Sequence, residues 1–486
     1  MLSQELRNKY QVVIGLEVHA QLVCESKMYA ADSTQYGNPP NTQISVITLG
    51  HPGTLPKVNI KAIEYAMKMG LACNSEITRY NVFARKNYFY PDLPKGYQLT
   101  QDKGPICVGG TVPIQLADGT TKEVILNRVH MEEDAGKSIH LADESDTLVD
   151  FNRAGTPLVE IVTEPDLRSA EEAYAFLAEV KKIVKYLEIC DANMEEGSLR
   201  CDANVSVMLK NATEYGKKVE VKNMNSFRNV SRAIEYEYER IVGLLEEGKE
   251  IVSETRTFDA NTGLTASMRT KEELNDYRYF PEPDLSPVVI SDEWLNAVKA
   301  TMPTLPREMQ LRFVEKFGLP DYDAAFLTES KEVAHWFEEF CSKTDNYKSA
   351  SNWMMGPIKS YLNEGNRAIA DFPISSDELA KLIYMIDEGK VSFTMASQKI
   401  YPELLKNTGE NSLDIAQRLN LIQQSDENSL KPIVAQVIAE NAEKVTQYKS
   451  GKKGLMGMFM GQVMQKSQGK ADPKVATKLL IELLEN

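Results

Sequence analysis

The sequence predicts an α+β protein, with a β-rich N-terminal portion, an all-α middle and a small all-α tail. Three observations carry that prediction. Residues 12–23 and 124–134 alternate like strands, and 158–162 form a short apolar run with one polar member. From Asp292 onward strand patterns vanish and helical periodicity takes over, interrupted at Pro303, Pro306, Pro320 and Pro357. A short polar linker, Asn407 to Ser412, then sets the last segment apart. These boundaries divide the chain into 1–292, 293–408 and 409–486, and 486 residues suffice for about three separate cores.

The first strand candidate places Ile14, Leu16, Val18, Ala20 and Leu22 on one face and Gly15, Glu17, His19 and Gln21 on the other. Glu17 and His19 therefore point the same way, about 7 Å apart along the strand. Such a pair serves a metal or simply a solvated face. It becomes a metal signal only if the strand lies beside other acids. A Gly- and Pro-punctuated loop, Leu49 to Pro56, follows, and then an amphipathic helix near Lys61 to Ala72. Arg85 to Gln98 mixes Lys86, Tyr88, Phe89, Tyr90 and two prolines, a composition able to hold phosphate and stack a base. An aromatic-packed loop with surface lysines accounts for the same residues.

The chain is organised around Arg128 to Asp166. Arg128, His130, Glu132 and Asp134 share one strand face, and the run ends in three consecutive acids. Leu158 to Val162 is apolar except for Glu160 at its centre. A carboxylate among Leu, Val and Ile is costly unless a cation or donor meets it. Acids and imidazoles converging on strands suit a hard divalent ion such as Mg²⁺. A solvated acidic turn plus one buried ion pair remains the alternative. Gly136-Lys137-Ser138 is not a phosphate loop, because Met131 stands where that motif needs its first glycine.

Ser169 to Glu172 is a capping box that opens a helix with a buried stripe from Ala173 to Leu187. Glu195 to Ser206 then repeats the theme of acids entering a strand, with Arg200 and Asp202 on one face. Another polar strand-to-helix junction spans Glu220 to Ser226, and its helix stops at Gly248. The helical tail ends basic. Lys444, Lys449 (directly after Tyr448), Lys452, Lys453, Lys466, Lys470, Lys474 and Lys478 face one acid, Asp472, a local net of +7. This is either a solvated lysine face or, with its interspersed glycines, a surface that admits a phosphate chain.

The totals exclude several classes. Hydrophobic content of 42% and charged content of 26% are those of a soluble globular chain. No apolar run approaches the ~18 residues of a membrane span, and Met1-Leu2-Ser3-Gln4 begins no signal peptide, so a cytoplasmic location is expected. Six cysteines contain no Cys-x-x-Cys pair, which gives no zinc knuckle. A net charge of −15 excludes a general nucleic-acid coat but not a local basic patch.

Together the motifs Val13 to His19, Arg85 to Asp92, His130 to Lys137, Asn152 to Glu160, Glu195 to Asn204, Asp276 to Pro283 and Gly457 to Met464 resemble the B-subunit family of aspartyl/glutamyl-tRNA amidotransferases, in its bacterial or organellar form. The likeness runs from residue 12 to the end. It implies a β-rich catalytic cradle, then a helical domain and a tail that touch tRNA. It also implies a reaction: ATP phosphorylates the side-chain carboxylate of Glu on tRNA-Gln or Asp on tRNA-Asn, and ammonia displaces the phosphate. The implied cofactors are ATP and Mg²⁺. The implied partners are the family's amidase (glutaminase) protein, which supplies ammonia, its small third component, and the mischarged tRNA. Glu17, His19, Glu132, Glu133 and Glu160 are the candidate catalytic residues and metal ligands, with Glu132 and Glu133 left as alternatives. Lys86, Arg153 and Arg200 are candidates for phosphate or carboxylate contacts, and Lys444, Lys449, Lys452, Lys453, Lys466 and Lys470 for tRNA. Two competitors share parts of this pattern. A different carboxylate–amine ligase has no use for the Lys/Gly tail, and a non-catalytic tRNA scaffold has none for Glu160.

Overall fold

A computed structural model describes residues 2–141, 146–270, 277–407, 409–422, 427–467 and 471–485. They are α+β, sheet-rich first and helical afterwards, and divide into two compact units, 1–306 and 307–486.

The first unit is built on a ten-stranded sheet. Its strands are β1 (Tyr10–Gln21), β2 (Glu76–Ile77), β3 (Cys107–Val108), β4 (Thr111–Gln115), β5 (Thr121–Glu133), β6 (Pro157–Thr163), β7 (Leu199–Leu209), β8 (Val219–Met224), β9 (Glu254–Asp259) and β10 (Leu264–Thr270). The order is β10-β9-β8-β7-β1-β6-β5-β3-β2, with β4 also on β5. All neighbours are antiparallel except β8 and β9. A parallel pair needs a crossover, and the helix Phe227–Glu246 supplies it. Ser226 caps that helix by accepting from Asn229 N, and Gly248, at φ +68°, follows its end.

One face of the sheet is apolar. Ile14, Leu16 and Val18 of β1, Val159 and Ile161 of β6, and Ala203 and Val205 of β7 are buried in a single core with the helices Ile60–Ala72, Ala170–Tyr186 and Phe227–Glu246. Half of the predicted capping box is formed: Ser169 Oγ accepts from Glu172 N at 3.0 Å, while the Glu172 carboxylate accepts from Arg168 N at 2.8 Å rather than from Ser169 N. With one face committed to helices, alternation sends the polar residues of β1, β5, β6, β7 and β8 to the other face. That second face carries most of the candidate site residues.

The second unit is helical, with two separate cores. Met309 to Ala416 contribute to one and Leu430 to Leu484 to the other. Pro306 opens a helix and Pro320 precedes one, but Pro357 lies inside a widened π turn, Met354–Ile358, through which the helix continues. The helix Ser412–Arg418 follows the polar linker yet buries Ile415 and Ala416 in the earlier of the two cores. All six cysteines are free and buried.

Candidate active site

The register of three strand pairs assembles the site. His130 on β5 is opposite Glu160 on β6, Glu160 is opposite His19 on β1, and His19 is opposite Arg200 on β7. Four consecutive strands thus carry a single polar row, His130–Glu160–His19–Arg200, across a sheet whose reverse side is hydrocarbon. Two residues away along their strands, Glu132, Glu17 and Asp202 stand on the same face.

Within this row the side chains converge. One ligand atom each from His19, Glu132 and Glu160 lie within 4.8 Å of one another. His19 Nε2 is 3.5 Å from Glu160 Oε2, and His130 Nε2 is 3.2 Å from that same oxygen and 3.1 Å from Glu132 Oε1. Glu132 is further held by Thr100 Oγ1 at 3.1 Å and Gln98 Nε2 at 3.0 Å, both donating from the strand Tyr97–Thr100. Burial would push Glu160 upward, but the His130 and His19 imidazoles hold it well below the usual carboxylate range. Burial likewise opposes charge on His130, yet the bonds to Glu132 and Glu160 raise it to about 9.

Glu17, by contrast, is raised by burial and by the charge of Glu160. It accepts from Asn204 Nδ2 at 2.9 Å and belongs to a second acidic group with Asp202 and Glu220. That group already has a cation: Lys222 Nζ bonds Asp202 and lies 3.0 Å from Glu220. Glu17 also lines a cavity of about 340 Å³ on this face, with Val13, Gly15, Asn204, Tyr215 and Lys218 around it. Gly216 closes one wall, where a Cβ would stand 2.1 Å from the Val207 carbonyl oxygen, so only glycine fits.

Lys86 reaches the cluster from the strand Ala84–Asn87. Its ammonium lies 5.2 Å from the Tyr277 ring centroid and 5.7 Å from that of Tyr88. Burial opposes its charge, but Glu132, the tyrosines and Glu160 hold it above the ordinary lysine range. Among the described residues it has no carboxylate in ion-pair contact, so a charged donor faces the acids with its bonding capacity unspent.

This geometry lies wholly within residues 12–296, which match the family model described as the GatB/GatE catalytic domain, while 335–484 match the GatB domain. The chain is 50% identical over 481 residues to the B-subunit of the aspartyl/glutamyl-tRNA(Asn/Gln) amidotransferase of Geotalea daltonii, across 98% of this chain and 100% of that one. It is 46% identical over 478 residues to the B-subunit from Thermodesulfovibrio yellowstonii, with the same shares. The chain belongs to the B-subunit family of these amidotransferases.

The remaining candidates divide sharply on this family member. Glu133 is not in the cluster. It follows Glu132 on β5 and so faces away, where it pairs with Lys95 and accepts from Leu99 N at 3.0 Å. There it lines a separate cavity of about 180 Å³ with Lys27, Tyr29 and His51. Arg153 and Arg200 both reach Asp134. Arg200 Nη2 is 2.9 Å from Asp134 Oδ2, Arg153 Nε is 3.7 Å from it, and Arg153 also donates to the carbonyls of Ala135 and Gly136. Gly136 itself answers to packing, since a Cβ there would lie 2.7 Å from the Asp150 carbonyl oxygen. In the tail Lys444, Lys449, Lys452, Lys453 and Lys466 are exposed, with Lys466 paired to Glu440 at 2.9 Å. Lys470 lies outside the described residues, as does Asp276. Residue 448 is a buried tyrosine packed edge-on against Phe459.

His130, Gln98 and Thr100 are not among the candidate ligands named from the sequence. Alternation alone places His130 beside Glu132. The two donors from Tyr97–Thr100 left no signal, because that strand's distance from β5 is a tertiary fact.

Proposed function

We propose that this chain is the component that activates and amidates the carboxylate of Glu carried by tRNA-Gln, or of Asp carried by tRNA-Asn. The observation that carries this reading is the convergence of His19, Glu132 and Glu160 beside the ammonium of Lys86, which has no carboxylate partner among the described residues. Family membership supplies the reaction class. A carboxylate attacking ATP in an anionic site needs its charge offset, and this face provides the means.

The donor set fits Mg²⁺: two carboxylates and one imidazole leave further positions for water and phosphate oxygens. His19, Glu132 and Glu160 would hold it, and when bound it offsets phosphate charge and orients the reacting oxygens. Lys86 contributes a fixed ammonium to the transferring phosphoryl group. The cavity beside Glu17 takes the nucleoside of ATP, with the Tyr215 ring at its rim and the phosphates directed toward Glu160. In the first step an oxygen of the substrate carboxylate bonds to the γ-phosphorus and ADP leaves. In the second, ammonia bonds to the acyl carbon, phosphate leaves, and the nitrogen gives up a proton. Asp134, gripping Arg153, Arg200 and Gln21, fixes the rim of the row rather than touching phosphate.

The ammonia comes from a partner glutaminase, with a small third protein completing the assembly, and the exposed tail lysines meet tRNA phosphates. No helix of the described residues is long and apolar enough to cross a membrane, in keeping with work in the cytoplasm. The test is ATP hydrolysis by the purified complex. Glu-tRNA-Gln or Asp-tRNA-Asn should raise it well above the rate with uncharged tRNA. Equal rates would leave the chain a tRNA-binding scaffold.

A further inference from the structure

Glu132 and Glu160 are like charges on neighbouring strands, and one side chain spans them. His130 Nε2 lies 3.1 Å from Glu132 Oε1 and 3.2 Å from Glu160 Oε2. The imidazole is buried, at 3% exposure, and its Nδ1 has no hydrogen-bond partner among the described residues. The ring therefore has one polar anchor, and that anchor is the carboxylate pair. Its backbone leaves it no alternative: His130 sits directly across from Glu160 and two residues before Glu132 on the same face. His19 differs. It approaches Glu160 from the opposite neighbour strand, and it, not His130, completes the three-membered group with Glu132 and Glu160.

We propose that His130 is a positioning residue for the metal centre: its Nε2–H bridges Glu132 and Glu160 and sets their spacing, while His19 is the one imidazole that coordinates. This rests on the reading that His19, Glu132 and Glu160 hold the cation. Two carboxylates that share no donor repel one another and turn apart. A shared N–H draws one oxygen of each to a common point. A carboxylate has about four lone-pair sites: Glu132 Oε1 gives two to His130 and Thr100, Oε2 gives one to Gln98, and the remaining site on Oε2 is left to coordinate. Thr100 and Gln98 reinforce this from the other side of Glu132, leaving its carboxylate little rotational freedom.

Mn²⁺ is the probe, added to the full-length chain. Its free-ion magnetic resonance signal measures affinity, and nitrogen-14 couplings in pulsed spectra count coordinated imidazoles. Wild type should show one imidazole. His130→Gln and His130→Asn should bind Mn²⁺ about 10- to 100-fold more weakly, as loss of a group orienting a ligand does, and should keep the one-imidazole coupling. His19→Gln should lose it. A two-imidazole wild-type spectrum overturns the proposal whether or not the variants fold. So does unchanged Mn²⁺ affinity in His130 variants that melt like wild type. Failure of the wild type to bind Mn²⁺, or a Glu160→Gln variant that binds as well as wild type, removes the metal centre itself and the proposal with it.

Discussion

Glu132 and Glu133 are consecutive in the chain, and their carboxylates lie on opposite faces of one strand. Glu132 joins His130 across from Glu160, while Glu133 pairs with Lys95 and the backbone of Leu99. Neutralising each should therefore have opposite consequences. Glu132→Gln should weaken divalent-ion binding by at least about tenfold with a modest change in melting temperature. Glu133→Gln should leave ion binding unchanged and destabilise the fold by roughly 3–5 kcal/mol, because Lys95 loses its partner in a buried setting. Ion titrations beside thermal melts of both variants decide it.

Lys86 and Arg200 are both cations on the polar face, but of the two only Arg200 has a carboxylate partner among the described residues. Lys86→Met should fold normally, and ATP turnover should fall about 10²-fold, the usual cost of one lost donor to a developing charge. Arg200→Met leaves the buried Asp134 with Gln21 and the more distant Arg153, and should appear first as a lower melting temperature. The two are separated by comparing activity per folded molecule.

Lys27 provides a pH dependence. It is 1% exposed, and burial lowers its ammonium from 10.5 to about 8. Below pH 8 both folded and unfolded chains carry the charge, and the folded one bears the desolvation cost in full. Between 8 and 10.5 the unfolded chain binds the extra proton, so stability rises with pH across that window. The gap corresponds to about 3 kcal/mol. Lys27→Met should melt higher than wild type at pH 7, and the difference should shrink as pH passes 8. Parallel melting curves from pH 7 to 10 contradict this.

Much of the fold was legible because its signals are local. Alternation identified β1, β5 and β6 to within three residues at each end, and the cap at Ser169 and the stop at Gly248 lie where their chemistry demands. What spacing cannot show is register. His19 and Glu160 are far apart in sequence, and only strand pairing sets Glu160 between two imidazoles. The choice between Glu132 and Glu133 stayed open because one bulge would reverse it, and β5 has none there. The pairing of Arg153 and Arg200 with Asp134 is likewise invisible in sequence, because the three residues meet only in space.

The tail shows a related limit. Polar composition at 407–412 suggests a clean cut, yet Ile415 and Ala416 belong to the preceding core. A chain ended at Asn407 should lose helical stability, whereas one ended at Ile422 should not. The latter should still weaken tRNA binding, most strongly at low salt, with a shallower dependence of affinity on salt concentration. Filter binding of full-length and shortened complexes over a salt series measures this. Identical slopes would make the tail a structural appendage.

The central claim is that Glu160 serves phosphoryl transfer rather than the core. Its neighbours are two imidazoles, so Glu160→Gln should fold with little loss. The decisive measurement is ammonia-dependent transamidation of Glu-tRNA-Gln by the complex carrying Glu160→Gln, beside melts with and without Mg²⁺. Transamidation should fall at least about 10²-fold, even with free ammonia, since activation precedes the amide step. The Mg²⁺-dependent rise in melting temperature that ion binding confers should be lost as well. A variant that melts well below wild type, yet keeps its activity per folded molecule and its response to Mg²⁺, would contradict it.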